Sequence, residues 1–188
     1  IAAETKQDAL KMRMDLAAKS PRAIAVMQEV AKMSDYARPR TDGRALGFAF
    51  SDTWTSFIGI VVEVSMFQGK PTVHKIWAAV DCGHALTPKN IETQIEGSAI
   101  FGLSAALGEK LSYKAGEPQQ RNLGAYNLLR ASQTPIVTVK VMPTDNEPGG
   151  IGEVGLPPVA PAIANALAKL TGKRLRTLPM NAAAIRSA

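Results

Sequence analysis

Phe57-Ile58-Gly59-Ile60-Val61-Val62-Glu63-Val64-Ser65-Met66 is the stretch that decides the fold. Ile58, Ile60, Val62, Val64 and Met66 occupy alternate positions, which predicts a strand with one apolar face. Phe57, Val61, Glu63 and Ser65 fall on its other face. Gln68-Gly69-Lys70-Pro71 then reads as a turn, and Thr72–Asp81 as a second strand. The two strands predict a β-hairpin with a loop longer than two residues.

On either side of this hairpin the apolar period lengthens to that of a helix. Upstream, Thr5 with Asp8 makes a capping-box pattern for a helix over 5–18, and Leu10, Met14 and Ala17 share a face. Ser20-Pro21 opens a second helix, carried by Ile24, Met27, Val30 and Ala31 to about Ser34. Residues 35–45 read as a loop. Downstream, Thr87-Pro88 opens a long helix through Ile91, Ile95, Ala99, Leu103 and Ala106 to about Leu107. Residues 109–134 are irregular apart from a short strand at Lys110–Tyr113, and Ile136–Met142 alternates as a strand. Pro157-Pro158 starts a last helix, with Gly172 where a C-cap glycine belongs, and Arg174–Leu178 reads as a short closing strand. The order ααββαββαβ predicts an α+β fold, helices covering a mostly antiparallel sheet, in a single domain over residues 1–188.

Composition narrows the function classes. With 46% hydrophobic and 20% charged residues the chain is an ordinary globular sequence, which excludes disordered and collagen-like structure. No run of 18 apolar residues occurs, so no transmembrane segment is expected. Cys82 is the sole cysteine, which excludes an internal disulfide framework and a multi-cysteine zinc site. His74 and His84 complete no metal-ligand spacing, so no protein-derived metal site is expected. Cys82 reads as a small buried filler. The net charge of +6 is diffuse. Its densest clusters, Arg38-Pro39-Arg40 and Lys173-Arg174-Leu175-Arg176, carry no interleaved aromatics, so they read as solvated surface or the rim of a buried interface, not a nucleic-acid site.

Two segments carry candidate chemistry. In Pro148-Gly149-Gly150-Ile151-Gly152-Glu153-Val154-Gly155 four glycines surround one carboxylate just ahead of a helix. Glycines permit close approach of a ligand to backbone and positive φ, and Glu153 is a candidate general base. The bland alternative is a tight turn whose glutamate complements the helix dipole. The letters match G-x-G-x-x-G, but no acidic residue follows about twenty positions on, and no Lys-Ser/Thr follows as in a P-loop. The second segment is Gln94-Ile95-Glu96-Gly97 in the long helix. Gln94 offers amide donors and an acceptor suited to the edge of a heterocyclic cofactor. Gly97 in mid-helix costs about 1 kcal/mol against alanine. Its bland explanation is a close helix–sheet contact, with Gln94 and Glu96 exposed.

Taken together, Val80-Asp81-Cys82-Gly83, Gln94-Ile95-Glu96-Gly97 with Phe101–Leu107, Pro148–Gly155, and Pro158-Val159-Ala160-Pro161-Ala162-Ile163-Ala164-Asn165-Ala166 resemble the C-terminal part of the molybdenum-binding subunit of the xanthine dehydrogenase and aldehyde oxidase family. The likeness runs from about Asp8 to Met180 and is nearest the isoquinoline 1-oxidoreductase beta branch. Val154-Gly155 stands where xanthine dehydrogenases have Pro-Pro, which points away from purines. The resemblance implies a bacterial oxidoreductase that hydroxylates an aromatic N-heterocycle or an aldehyde with oxygen from water. It implies a molybdenum–molybdopterin cytosine dinucleotide cofactor contacted by Gln94, Gly150 and Gly152, with Glu153 as general base. It also implies partners: the rest of the molybdenum subunit and an iron–sulfur subunit or domain. The family's subunit is several times longer, so the chain is expected to be a C-terminal fragment, without cofactor or turnover alone, any export signal lying upstream of Ile1. The competing expectation is a catalytically degenerate scaffold or interaction domain of the same fold.

Overall fold

The computed structural model describes residues 1–187. Two helices, α1 (Ala9–Leu16) and α2 (Pro21–Met33), precede three consecutive strands, β1 (Arg44–Thr53), β2 (Ser56–Phe67) and β3 (Lys70–Asp81). The long helix α3 (Pro88–Leu107) follows, then a two-residue pair of strands, β4 (Tyr113–Lys114) and β5 (Glu117–Pro118). A 3-10 turn at Ala131–Gln133 leads into β6 (Ile136–Val141), and α4 (Val159–Thr171) and α5 (Ala182–Ser187) end the chain. The main sheet has the order β1-β2-β3-β6, antiparallel except where β6 runs parallel to β3. No helix among the described residues is long and apolar enough to cross a membrane.

The alternation in β2 partitions the core. Ile58, Ile60, Val62 and Val64 face α3 and α4, where Ile95, Leu103, Ile163 and Leu167 are fully buried. Val61 faces the opposite way, with Leu46, Phe48 and Ala79, against Ala23, Val26, Met27 and Val30 of α2. Buried on both faces, the sheet forms the middle of three layers. At Gly47 α4 lies so close to β1 that a Cβ would overlap the Ala162 carbonyl. Glu63, also buried, is held by Arg44 (2.8 Å) and Arg40 (3.2 Å). The α+β class and the mostly antiparallel sheet stand as read from the sequence.

The structure departs from the sequence reading in several details. The short strand read at Lys110–Tyr113 lies at Tyr113–Lys114 and pairs with an unpredicted β5, and α5 has no counterpart in that reading. The first helix starts at Ala9, with Asp8 itself as N-cap accepting from Lys11 N at 2.6 Å, while Thr5 Oγ1 donates to Ile1 O. Residues 44–53, of which only 44 and 45 fall in the stretch read as loop and the rest in no assigned element, form β1, because Trp54-Thr55 closes a tight hairpin to β2. The β2–β3 connection is two residues long, the ladder running to Phe67↔Lys70 with Gln68 and Gly69 both at positive φ. After Gly172 there is no closing strand. Instead, Leu175, Met180 and Ile185 drop into the core, and Met180 N donates to Ala106 O at 2.7 Å.

Candidate functional site

The glycine-rich loop of residues 146–158 links β6 to α4 and is tied at three places. At its start, Asn146 O accepts from His84 N (2.8 Å) and Gly149 N donates to Cys82 O (2.8 Å). Next, Gly150 N donates to Trp54 O (2.9 Å), and Gly150 O accepts from Ser56 Oγ (2.6 Å). Further on, Gln94 Nε2 on α3 donates to Gly152 O (2.7 Å). No glycine in Gly149–Gly155 has positive φ. Close approach accounts for Gly149, Gly150 and Gly155, while Gly152 faces open space. A Cβ on Gly150 would sit 2.9 Å from Trp54 Cβ, and one on Gly155 would overlap Ser98 Oγ.

Behind this loop lies a buried ion pair. Arg22 of α2 forks onto Asp81 with Nε–Oδ2 2.8 Å and Nη2–Oδ1 2.7 Å, its guanidinium 4.6 Å above the Phe57 ring centroid. Asp81 Oδ1 also accepts from Gly83 N at 3.0 Å. Burial pushes the Asp81 carboxyl upward, but the Arg22 and Gly83 hydrogen bonds outweigh it and hold the group below its ordinary value. The pair fixes the Asp81-Cys82-Gly83-His84 turn that carries the start of the loop. Cys82 is buried, and burial raises its thiol above the ordinary value, as suits a filler. His74 is the extra residue at a register shift in β3, with Nε2 2.7 Å from Ser65 Oγ. Among the described residues no cluster of three or more His, Cys, Asp or Glu could hold a metal ion.

Gln94, Gly152 and Glu153 meet at the surface. All three are exposed, and with Gly97, Ser98, Phe101 and Leu156 they line a cleft of about 320 Å³. Gly150 lies apart from that lining, its missing Cβ accounted for by Trp54. Glu153 does not cap α4. The N-cap is Pro158, with no side-chain cap, and Glu153 O closes a turn by accepting from Leu156 N (3.1 Å). Nor does Gly97 make a helix–sheet contact, since nothing lies within 4 Å of where its Cβ would be. The close contact of this helix is made at Gly102, whose Cβ would lie 2.9 Å from Leu156 O of the loop and 3.1 Å from Val159 Cβ of α4.

The sequence reading missed the Trp54-Thr55 turn, which positions the glycine loop. Both residues have positive φ, 51° and 62°. Such a turn normally takes asparagine and glycine, so no turn residue marked it. A non-glycine pair held there is strained, and the bonds to Gly150 are part of what holds it.

The remaining N–H and the carbonyl oxygen of the Gln94 amide, the open space at the Gly152 Cα and the exposed Glu153 carboxylate suit the edge of a hydrogen-bonding heterocycle. A family profile described as "Molybdopterin cofactor-binding domain" matches residues 3–135. The chain is 38% identical over 97% of its length to the isoquinoline 1-oxidoreductase subunit beta of Brevundimonas diminuta, and spans 24% of that protein. It is 37% identical over 70% of its length to a protein of Gluconacetobacter polyoxogenes named membrane-bound aldehyde dehydrogenase [pyrroloquinoline-quinone], spanning 17% of it. The crystal structure of the aldehyde oxidoreductase of Desulfovibrio desulfuricans shares the fold, with TM-score 0.63 and 24% identity, over 71% of this chain and 15% of that one. The chain thus spans about a quarter or less of the relatives it matches. Given the fold and a match that takes in α1 to α3 and the main hairpins, the chain belongs to the molybdopterin cofactor-binding domain family.

Proposed function

We propose that the chain supplies one wall of the active site of a molybdenum hydroxylase, which oxidises an aromatic N-heterocycle or an aldehyde with oxygen from water. The observation that carries this reading is the 2.7 Å bond from Gln94 Nε2 to Gly152 O, which joins α3 to the glycine loop beside the free Glu153 carboxylate. In this reading Gln94 and the backbone at Gly152 hold the pterin edge, and the cofactor is the cytosine dinucleotide form. When bound, that group supplies the two-electron oxidation.

Glu153 takes the proton from the attacking water-derived oxygen. A carboxylate exposed in the cleft is placed to do so. Phe101, 61% exposed on the same cleft, offers an apolar surface to a planar substrate. The overall balance is R–H plus water giving R–OH, two protons and two electrons, the electrons leaving through an iron–sulfur partner. The remainder of a longer molybdenum subunit closes the site opposite this wall.

Glu153→Gln in the assembled enzyme with its redox partner tests the base role. Turnover is expected to fall about 10²–10⁴-fold with molybdenum and pterin content unchanged. Undiminished turnover rejects the role. Hydrolytic release of cytidine monophosphate from the bound cofactor supports the dinucleotide form, and recovery of a quinone without molybdenum rejects the cofactor assignment.

A further inference from the structure

The two edges of the main sheet are treated differently. On the β1 edge, α4 reaches over with two side chains. Lys169 Nζ donates to Leu46 O (2.8 Å) and Asn165 Nδ2 donates to Phe48 O (3.0 Å). Such caps satisfy carbonyls that would otherwise accept another strand. On the opposite edge, β6 pairs only with β3 among the described residues, and no side chain caps its backbone. Every second residue of β6 is exposed, Ile136 to 65%.

Beside this open edge runs a groove. Helix α3 lies over β6 rather than over β3. Thr93, Glu96, Gly97 and Ile100 of α3 face Thr134, Pro135 and Val137 across a cleft of about 490 Å³. Gly97 costs this helix about 1 kcal/mol against alanine, and nothing within the chain requires it. It does, however, clear space for another backbone to pass close to the helix.

We propose that β6 receives a fifth strand, in extended conformation, that runs in this groove and passes Gly97. Open backbone donors and acceptors call for a polypeptide strand, and the groove beside Val137 and Ile100 calls for alternate apolar side chains. The occupant is a segment of the molybdenum subunit outside residues 1–188, so the inference rests on the reading given under Proposed function. The isoquinoline relative has most of its length outside the 24% this chain spans. Because Gly97 also lines the Gln94–Glu153 cleft, the added strand borders the candidate active site.

Amide hydrogen exchange of Ile136–Val141, compared between the 188-residue chain and the assembled enzyme, tests the proposal. The β6 amides that do not bond β3 are expected to exchange about 100-fold more slowly in the assembly. Equal exchange in both overturns it. Thr93→Trp fills the groove from its exposed wall without touching the Gln94 cleft. It is expected to leave the thermal midpoint of the chain unchanged and to abolish the added protection, and full protection in that variant also overturns the proposal. Protection in an assembly that carries no pterin upholds the strand while rejecting the functional reading. Fast exchange in a pterin-loaded, Glu153-dependent enzyme rejects the strand alone.

Discussion

Asp81 shows how one residue outside the cleft governs it. Its side chain is 4% exposed and its charge is matched by Arg22, 24% exposed. Removing the charge leaves a guanidinium largely buried without its partner, so Asp81→Asn is expected to destabilise the chain by about 3 kcal/mol at pH 7. The pH dependence has a definite sign. The folded-state carboxyl is held below its ordinary value, so the stabilisation is complete above the unfolded pKa near 4 and is lost as pH falls through the folded value. Urea denaturation at pH 7 and pH 3 should therefore show the gap between wild type and Asp81→Asn closing on the acid side. Val80-Asp81-Cys82-Gly83 was visible in the sequence as part of a family likeness. Its partner was not, because Arg22 is 59 positions away and nothing local in α2 marks it.

At the scale of elements, two glycines with opposite surroundings make opposite predictions. Gly97 stands in an exposed helix with open space at its Cβ, so Gly97→Ala is expected to stabilise the isolated chain by about 1 kcal/mol. Gly47 lies under α4, and Gly47→Ala is expected to lose about 3 kcal/mol as β1 and α4 are pushed apart. Chemical denaturation of the two variants side by side checks both signs. Helices α2, α3 and α4 were legible because proline sits at or just before each start and apolar residues recur at helical spacing. Strand β1 was not, since Trp54-Thr55 adopts a hairpin turn without glycine, asparagine or aspartate. Its register comes from ten paired positions with β2, a non-local energy that local composition does not reveal.

For the molecule as a whole, the layered core is built on the chain's own residues, while the candidate site faces outward. Gln94, Gly152 and Glu153 are exposed on a shallow cleft, so the 188-residue chain by itself is expected to retain no molybdenum or pterin. Metal analysis and pterin fluorescence of the purified chain check this, and stoichiometric cofactor would contradict it. The sequence by itself determined the α+β class, the apolar face of β2 and most helix boundaries, and it nominated Gln94, Gly150, Gly152 and Glu153 as site candidates. Each of these rests on short-range periodicity, capping chemistry or recognisable runs of residues. Tertiary structure decided the rest: which face of the sheet each helix covers, the parallel placement of β6, and the meeting of Gln94 with Gly152 across 58 positions. It also separated Gly150, packed on Trp54, from Gly152, open to the cleft, although both are glycines of one loop. The physical reason is the same throughout. A side chain's local preference is written in its neighbours along the chain, whereas its burial and partners depend on what the fold brings against it.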